Sequence, residues 1–217
     1  MTRTIPAART KITATFWDCG GVLLTNGWDH HARRHVAVHF GLSFEEFEQR
    51  HERPNDLWER GKISLPQYLQ QTVFYAPRHF SEEDFIAQMR AVSKVLYPEM
   101  LSFVRRLRAQ RTVTADTGIY LLSNESRELM DYRIPQLGLC GLFDAYLVSA
   151  YIGLRKPEVE FFRCALEISQ RAPHECVFID DREENVAAAR ELGIVGVRME
   201  TPQQVIAELG RLGIAAS

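Results

Sequence analysis

The sequence predicts an α/β protein in which a doubly wound parallel sheet carries an inserted helical cap. Short apolar runs with the composition of buried parallel strands recur along the chain, and in its C-terminal half they alternate with helical patterns. Because parallel strands need crossover connections, this alternation places helices on both faces of a Rossmann-like sheet. One long segment after the first strand contains helical patterns alone, which indicates an insertion.

The core is predicted to contain strands that are each followed, directly or after the insertion, by a helix. The strands are predicted at residues 12–17, 118–122, 145–149, 176–179 and 195–198, and the core helices at residues 98–111, 125–136, 157–171, 182–192 and 202–212. The polar segment at residues 112–118 is predicted to form a surface loop before the second strand.

The insertion is predicted to form a helical cap domain at residues 26–95, and residues 1–25 and 96–217 are predicted to form the α/β core domain. Serine followed three residues later by an acid is typical of a helix start, and this pattern occurs at Ser43 and Ser81. The cap helices are predicted at residues 29–40, 43–50, 64–72 and 81–95, with a short turn at 55–60. The predicted joins contain Pro54, Pro66 and Pro77.

The composition is that of an ordinary folded protein and argues against several functional classes. Of 217 residues, 46% are hydrophobic and 25% are charged, and a net charge of -2 gives no basic surface for nucleic acid. The four cysteines lack paired spacing, which favours reduced thiols and a cytoplasmic location. Residues 1–10 lack the apolar core of a signal peptide and are predicted to be a frayed tail, and no segment is long and apolar enough for membrane insertion. The sequence is compatible with a homodimer without predicting one.

Carboxylates follow two of the predicted strands. Asp18 comes directly after the first strand, and Asp180 and Asp181 come after the fourth. Ligands of open α/β sheets bind at the carboxyl ends of the strands, so these acids are predicted to face one crevice. Carboxylates at close range repel one another, and an all-oxygen ligand set that holds them ionised together suits Mg²⁺. The sequence therefore predicts a magnesium enzyme with Asp18 as its nucleophile.

Two further strand ends carry groups that suit a phosphoryl group. Ser123 lies where the second strand turns into a helix, whose free N–H groups can bind an anion. Lys156 precedes Pro157 at the first turn of the helix after the third strand, where its charge can face the same crevice. The predicted substrate-binding residues are Ser123, Asn124 and Lys156.

These strand ends resemble the motifs of the haloacid dehalogenase-like hydrolase superfamily, and they occur in the same order. The motifs read Trp17-Asp18-Cys19-Gly20-Gly21, Leu122-Ser123-Asn124, Arg155-Lys156-Pro157-Glu158 and Asp180-Asp181-Arg182-Glu183-Glu184-Asn185. The resemblance extends over nearly the whole chain and favours the members with a small helical cap after the first strand. It implies a sheet whose first strand is central and is flanked by the second and fourth strands.

The resemblance also implies a role for each strand end. Asp18 would attack phosphorus to form an aspartyl-phosphate, Ser123 would hydrogen-bond the phosphoryl oxygens, and Lys156 would hold the charge. The implied Mg²⁺ ligands are the Asp18 side chain, the Gly20 carbonyl, Asp180 and Asp181, the last directly or through water. The implied activity is hydrolysis of a small phosphorylated metabolite, a phosphate monoester.

One position departs from the family pattern. Phosphatases of the family usually carry a second aspartate two residues after the nucleophile, as acid and base, and this chain has Gly20 there. General acid–base catalysis contributes roughly a hundred- to ten-thousand-fold, so turnover is expected to be slow unless another group substitutes. The candidate substitutes are His30, His31 and a water held by Asn26.

Other interpretations stay open beside the phosphatase. The 2-haloacid dehalogenases of the superfamily use the same aspartate on carbon without a metal, so the pair Asp180-Asp181 argues against that activity. A catalytically idle phosphate-binding or interaction protein is conceivable because of Gly20, although the retained nucleophile and lysine argue against it. Cys19 is disfavoured as a nucleophile because successive strand residues face opposite ways. Histidines 31, 35 and 39 are interpreted as a surface stripe of the first cap helix.

Overall fold

The computed structural model of the protein describes residues 11–111 and 117–216. Its strands are β1 (Ala14–Trp17), β2 (Gly118–Ser123), β3 (Ala145–Val148), β4 (Cys176–Asp180) and β5 (Val195–Arg198). They form one parallel sheet with the order β3-β2-β1-β4-β5. The predicted α/β class is confirmed, and β1 is central between β2 and β4.

Helices lie between the strands in the chain, and four of them are inserted between β1 and the first core helix. The inserted helices are α1 (His30–His39), α2 (Phe44–Glu59), α3 (Leu65–Thr72) and α4 (Glu82–Ala91). The core helices are α5 (Pro98–Arg111), α6 (Arg127–Gln136), α7 (Ser149–Ile152), α8 (Val159–Ser169), α9 (Glu183–Glu191) and α10 (Pro202–Arg211), and a 3₁₀ turn covers Pro173–Glu175. The predicted tail at residues 1–10 and most of the predicted loop at 112–118 lie outside the described residues.

The strand side chains alternate between two hydrophobic clusters, one on each face of the sheet. Phe16 and Phe178 belong to the cluster that contains side chains of α8 and α9. Trp17 and Ile179 belong to the cluster that contains side chains of α5 and α10. This alternation is the period-two geometry of strands that are buried on both faces, and it confirms the prediction of helices on both sides.

The helices α1–α4 pack around a third hydrophobic cluster. It includes Trp28 and Phe85 of the insertion and also Leu129 of core helix α6, so the insertion contacts the core through apolar groups. The assignment of residues 26–95 to a separate cap domain stays a prediction. Within the described ranges, each helix is too short or too polar to cross a lipid bilayer.

The predicted break at Pro54 was wrong, because α2 runs through it without interruption. The buried residues of α2 are spaced three or four positions apart, as on one face of a continuous helix. They are Phe44, Phe47, His51, Pro54 and Trp58. The packing of this stripe outweighs the backbone hydrogen bond that a proline removes from a helix.

Two other boundaries differ from the prediction for reasons of tertiary contact. α4 ends at Ala91 because the residues after it pair with the segment that leaves β1, where Thr25 N–H donates to Lys94 O at 2.9 Å. β3 ends at Val148 because Ser149 begins α7, and its hydroxyl accepts a hydrogen bond from Glu125 N–H at 3.0 Å.

Candidate active site

The carboxyl ends of β1, β2 and β4 bring the predicted site residues together. Asp18 follows β1, and its N–H donates to the carbonyl of Ile179 in β4 at 2.9 Å. Ser123 is the last residue of β2, and Asp180 is the last residue of β4. Because β1 lies between these strands, the three side chains end next to one another. The inner cavity, of about 70 Å³, is lined at this edge by Asp18, Gly20, Ser123, Asn124 and Lys156.

The ammonium group of Lys156 lies between two of the acids. Its Nζ is 2.8 Å from Asp18 Oδ1 and 2.7 Å from Asp180 Oδ2, and it donates to the Leu122 carbonyl at 2.8 Å. Burial by itself disfavours the charged ammonium, but Asp18 and Asp180 raise the pKa of Lys156 above its ordinary value. Lys156 is therefore a fixed positive charge at the base of the cavity.

Asn124 holds the segment that carries this lysine. Its Oδ1 accepts from Lys156 N–H, and its Nδ2 donates to the Lys156 carbonyl, both at 2.8 Å. The two bonds fix the main chain of Lys156 against the end of β2. Direct contact of Ser123 or Asn124 with a substrate stays a prediction.

Three carboxylates meet beside Lys156. Oxygens of Asp18, Asp180 and Asp181 lie within 4.8 Å of one another. Burial and the neighbouring Asp180 raise the pKa of Asp18 to about 8, and the same two causes raise the pKa of Asp181. Asp181 Oδ1 is buried and has no hydrogen-bond partner among the described residues. An oxygen ligand set with an unpaired buried carboxylate oxygen fits Mg²⁺, which would relieve the mutual repulsion.

Asp180 is held in place by groups of its own helix start. Its Oδ1 accepts from Arg182 N–H at 2.9 Å and from Asn185 Nδ2 at 3.0 Å. Asn185 also reaches Oδ2 at 3.1 Å. Asn185 therefore stabilises the loop between β4 and α9.

Two glycines after Asp18 let the backbone pass close to site side chains. Gly21 has a φ of +74°, and a β-carbon there would lie 2.3 Å from Asp181 Oδ2. A β-carbon at Gly20 would lie 2.7 Å from Asn26 Oδ1. The Asn26 side chain therefore occupies the space into which a side chain at position 20 would extend.

A buried ion pair that the sequence did not predict lies beside the cavity. Arg133 Nη1 is 2.8 Å from Glu125 Oε2, and the two side chains are 1% and 6% exposed. Arg133 also donates to the carbonyl of Thr25, in the segment that leads from β1 to the inserted helices. The position of Glu125 directly after Ser123-Asn124 is a signal that places it at the strand end. Arg133 lies two turns further along α6 and carries no such signal.

Ion pairs connect α2 to the core above the cavity. Arg155, the residue before Lys156, is 2.7 Å from Asp56 Oδ1 and 2.8 Å from Glu59 Oε2. Arg60, the residue directly after α2, is 2.5 Å from Glu158 Oε1. Arg155 belongs to the third sequence motif, from which no role for it could be predicted. Its pairs with α2 place this inserted helix over the entrance of the site.

A family model for haloacid dehalogenase-like hydrolases matches residues 12–193. The chain belongs to this family. The predicted membership of the superfamily is thereby confirmed, and the protein is a hydrolase of this type; its place among the members with a small helical cap stays a prediction. Over 217 residues it is 27% identical to the sesquiterpene phosphatase astK of Aspergillus oryzae, an alignment that covers 94% of this chain and 97% of the relative.

Solved structures of the family share the fold of this hydrolase. A family enzyme from Bacteroides thetaiotaomicron, in complex with magnesium and inorganic phosphate, superposes with a TM-score of 0.73 at 21% identity and covers 88% of this chain and 96% of its own. An L-2-haloacid dehalogenase from Xanthobacter autotrophicus, with chloropropionic acid covalently bound, gives 0.59 at 18% identity and covers 94% and 84%. At these identities the likeness establishes the fold alone.

Among the outer cavities next to the inner one, two are lined by residues of the inserted helices. The first, of about 430 Å³, is lined by Asn26 and by both candidate histidines, His30 and His31. Asn26 also lines the inner cavity. The second, of about 550 Å³, lies against α2. Arg155 lines all three cavities, so they lie next to one another between Asp18 and the inserted helices.

The thiol next to the nucleophile position is inert. Cys19 is fully buried in the hydrophobic cluster that also contains Trp17. Burial raises its pKa to about 12, so the thiol stays protonated at neutral pH. This agrees with the prediction that Cys19 is not a nucleophile.

Proposed function

We propose that this hydrolase cleaves small phosphate monoesters in a Mg²⁺-dependent reaction with Asp18 as nucleophile. The observation that carries the proposal is the placement of Lys156 between Asp18 and Asp180, with Asp181 beside them. Phosphoryl transfer depends on positioning and on charge neutralisation, and this arrangement supplies both. The name of the full-length relative, a sesquiterpene phosphatase, supports phosphate ester hydrolysis.

Asp18 would attack phosphorus and displace the alcohol, and water would then hydrolyse the aspartyl-phosphate to release inorganic phosphate. Cys19 N–H at 2.7 Å and Lys156 at 2.8 Å hold the Asp18 carboxylate in one orientation for this attack. Ser123, at the end of the neighbouring strand, would hydrogen-bond the phosphoryl oxygens. Asn124 holds the main chain of Lys156 in place.

The proposed Mg²⁺ ligands are Asp18, Asp180, Asp181 and the carbonyl of Gly20. The ion would neutralise charge on the phosphoryl oxygens when bound. Position 20 carries no proton donor, and Asn26 cannot act as a carboxylic acid would. The departing alkoxide would therefore take its proton from water, which makes the rate depend on the acidity of the leaving alcohol.

The test is phosphate release from a panel of phosphate monoesters, with and without Mg²⁺, by the wild type and by Asp18→Asn. Asp18→Asn should lose turnover by at least about a thousandfold, because the amide is neither nucleophile nor charged ligand. Glu160→Gln is the matched control, since Glu160 is exposed on α8 away from the site, and it should behave as the wild type. Steady-state turnover by Asp18→Asn at the wild-type rate would contradict the assignment.

The same assay separates the two alternatives. Chloride release from 2-chloropropionate in excess chelator, without phosphate release from the panel, would indicate a 2-haloacid dehalogenase. A Mg²⁺-dependent beryllofluoride adduct of the wild type, without turnover of any substrate, would indicate a phosphate-binding protein that is catalytically idle.

A further inference from the structure

A buried hydrogen-bond chain inside the inserted helices has no role in the proposed phosphoryl transfer. Trp28 Nε1 donates to the Tyr68 hydroxyl at 2.7 Å, and the Tyr68 hydroxyl lies 2.7 Å from His51 Nδ1. Tyr68 is fully buried and His51 is 7% exposed. Of the three residues, His51 lines the second outer cavity.

This hydrogen-bond chain determines which nitrogen of the His51 ring carries a proton. Trp28 Nε1 can only donate, so among the described hydrogen bonds of the buried Tyr68 hydroxyl His51 Nδ1 is the one acceptor for its proton, and this nitrogen is unprotonated. Burial and the nearby Arg33 lower the pKa of His51 to about 3, which keeps the ring neutral. In this tautomer Nε2 carries the remaining proton.

The walls of the second outer cavity are polar throughout the described residues that line it. Besides His51 they are Arg33, Glu48, Glu52, Asn55, Asp56 and Arg155. The second outer cavity therefore presents both hydrogen-bond donors and acceptors. In the first outer cavity, Trp28 is the one large apolar side chain among the described lining residues. An apolar chain placed here would displace water from these groups and offer them no hydrogen bonds in return, which is costly.

We propose that His51 Nε2–H and the carboxylate and amide groups around it bind hydroxyl groups of the leaving alcohol. The substrates would then be phosphate monoesters of polyhydroxylated alcohols. Hydroxyl groups both donate and accept hydrogen bonds, so they match a wall that contains both kinds of group. This inference rests on the proposed function, since the alcohol reaches the second outer cavity only when its phosphoryl group is at Asp18.

The inference differs from what the name of the relative suggests. A sesquiterpenyl group is an apolar chain, and it would meet Arg33, His51 and Asn55 along this path. Sites built to hydrogen-bond a hydroxyl reject analogues that lack it, because their polar groups then stay unpaired. The substrate class of this chain is therefore inferred to differ from that of the sesquiterpene phosphatase.

The experiment compares sorbitol phosphate with hexyl phosphate, which have equal carbon chains and differ in their hydroxyl groups. We expect kcat/KM to be at least about tenfold higher for sorbitol phosphate, the range of one or two hydrogen bonds. Sesquiterpenyl phosphate is the third substrate. Hydrolysis of hexyl or sesquiterpenyl phosphate as fast as sorbitol phosphate would overturn the inference while leaving the proposed phosphatase activity in place.

Two variants of His51 test the role of Nε2–H. In His51→Gln the amide nitrogen lies near the position of Nε2 and keeps a donor towards the cavity, whereas in His51→Asn the amide lies near Nδ1 and keeps only the Tyr68 contact. His51→Asn should lower the ratio of kcat/KM for sorbitol phosphate to kcat/KM for hexyl phosphate by about tenfold, because KM for sorbitol phosphate rises. His51→Gln should keep the wild-type ratio. Equal kcat/KM values of the two variants on both substrates would show that the hydrogen-bond chain from Trp28 to His51 has a structural role only.

Binding provides a readout that does not need turnover. Titration calorimetry of Asp18→Asn in Mg²⁺ should show sorbitol phosphate binding about tenfold more tightly than hexyl phosphate, and the additional His51→Asn change should remove the difference. This preference in a protein that releases no phosphate from any substrate would refute the proposed function and leave only the recognition of hydroxyl groups by His51 in place. Equal affinities would refute the inference.

Discussion

The inner cavity at the strand ends and the second outer cavity under α2 are built in different ways. In the inner cavity, Asp18 and Asp180 project from adjacent strands whose register fixes their separation. In the outer cavity, Arg33, His51 and Arg155 come from two helices and a loop, and each is held by partners on other segments. The sheet therefore positions the proposed catalytic groups, and the packing of helices positions the side chains that are proposed to contact the leaving alcohol.

The largest effect is expected from removal of the central charge of the inner cavity. Lys156→Met should lower kcat/KM by about a thousandfold, because charge stabilisation is lost. It should also destabilise the fold by about 3 kcal/mol, because Asp18 and Asp180 stay buried without their partner. The measurements are phosphate release and denaturant unfolding.

Lys62→Met is the matched control for this prediction, since Lys62 is an exposed residue of the insertion. It should leave both the rate and the free energy of unfolding unchanged. If Lys156→Met were as active as Lys62→Met, the reaction would not depend on the fixed charge in the inner cavity. The proposed difference between the inner cavity and the second outer cavity would then be refuted.

A second prediction concerns the boundary between the two regions, where Asn26 meets Gly20. Gly20→Asp alone should give little or no gain, because its β-carbon would lie 2.7 Å from Asn26 Oδ1. The double variant Gly20→Asp/Asn26→Ala makes room for the carboxyl group and should raise turnover by about a hundredfold, the low end of general acid–base catalysis. The gain should be largest for poor leaving groups.

Asn26→Ala is the control for the double variant and should show no gain in turnover. A folded double variant with wild-type turnover on alkyl phosphates would show that the missing acid does not limit the reaction. Circular dichroism and thermal unfolding would establish that the variant is folded.

The smallest effect is expected in the stability of the inserted helices at low pH. His51 has a pKa of about 3 in the folded protein against an ordinary value of 6.5, so between these values the unfolded chain binds the extra proton. The stabilising contribution is complete above pH 6.5 and is lost as the pH falls towards 3. Between pH 7 and pH 5 the wild type should lose about 2 kcal/mol more than His51→Gln.

Urea unfolding at the two pH values measures this difference. The control is His35→Gln, since His35 is exposed on α1, and this variant should show the same pH dependence as the wild type. A wild type whose loss of stability equals that of His51→Gln would mean that His51 is protonated in the folded state. The hydrogen bond from Tyr68 could not then exist as described.

Most of the inner cavity could be predicted from the sequence because its residues are marked by local position. Asp18, Ser123 and Asp180 each end a short apolar run, and parallel strands carry such residues to one edge. The strand order with β1 central was implied by the family resemblance and is confirmed. The Mg²⁺ ligands and the catalytic roles stay predictions until the variants are measured.

The insertion was less predictable because its structure depends on packing between segments. Pro54 ends a helix by local rules, yet α2 continues through it since Trp58 and His51 extend the same buried face. The pair of Glu125 with Arg133, and the bond from Arg133 to Thr25, join positions that no local pattern relates. A hydrogen bond between different segments is not marked by any regular spacing of residues in the sequence.

The sequence by itself determined the α/β class, the strand ends and the acids and lysine that meet there, because apolar periodicity and chain order suffice for these. Only the tertiary structure decided that Lys156 lies between Asp18 and Asp180, that Asn26 fills the space beside Gly20, and that Tyr68 sets the tautomer of His51. The physical reason is distance: each of these depends on atoms a few ångströms apart that belong to residues which are not neighbours in the chain.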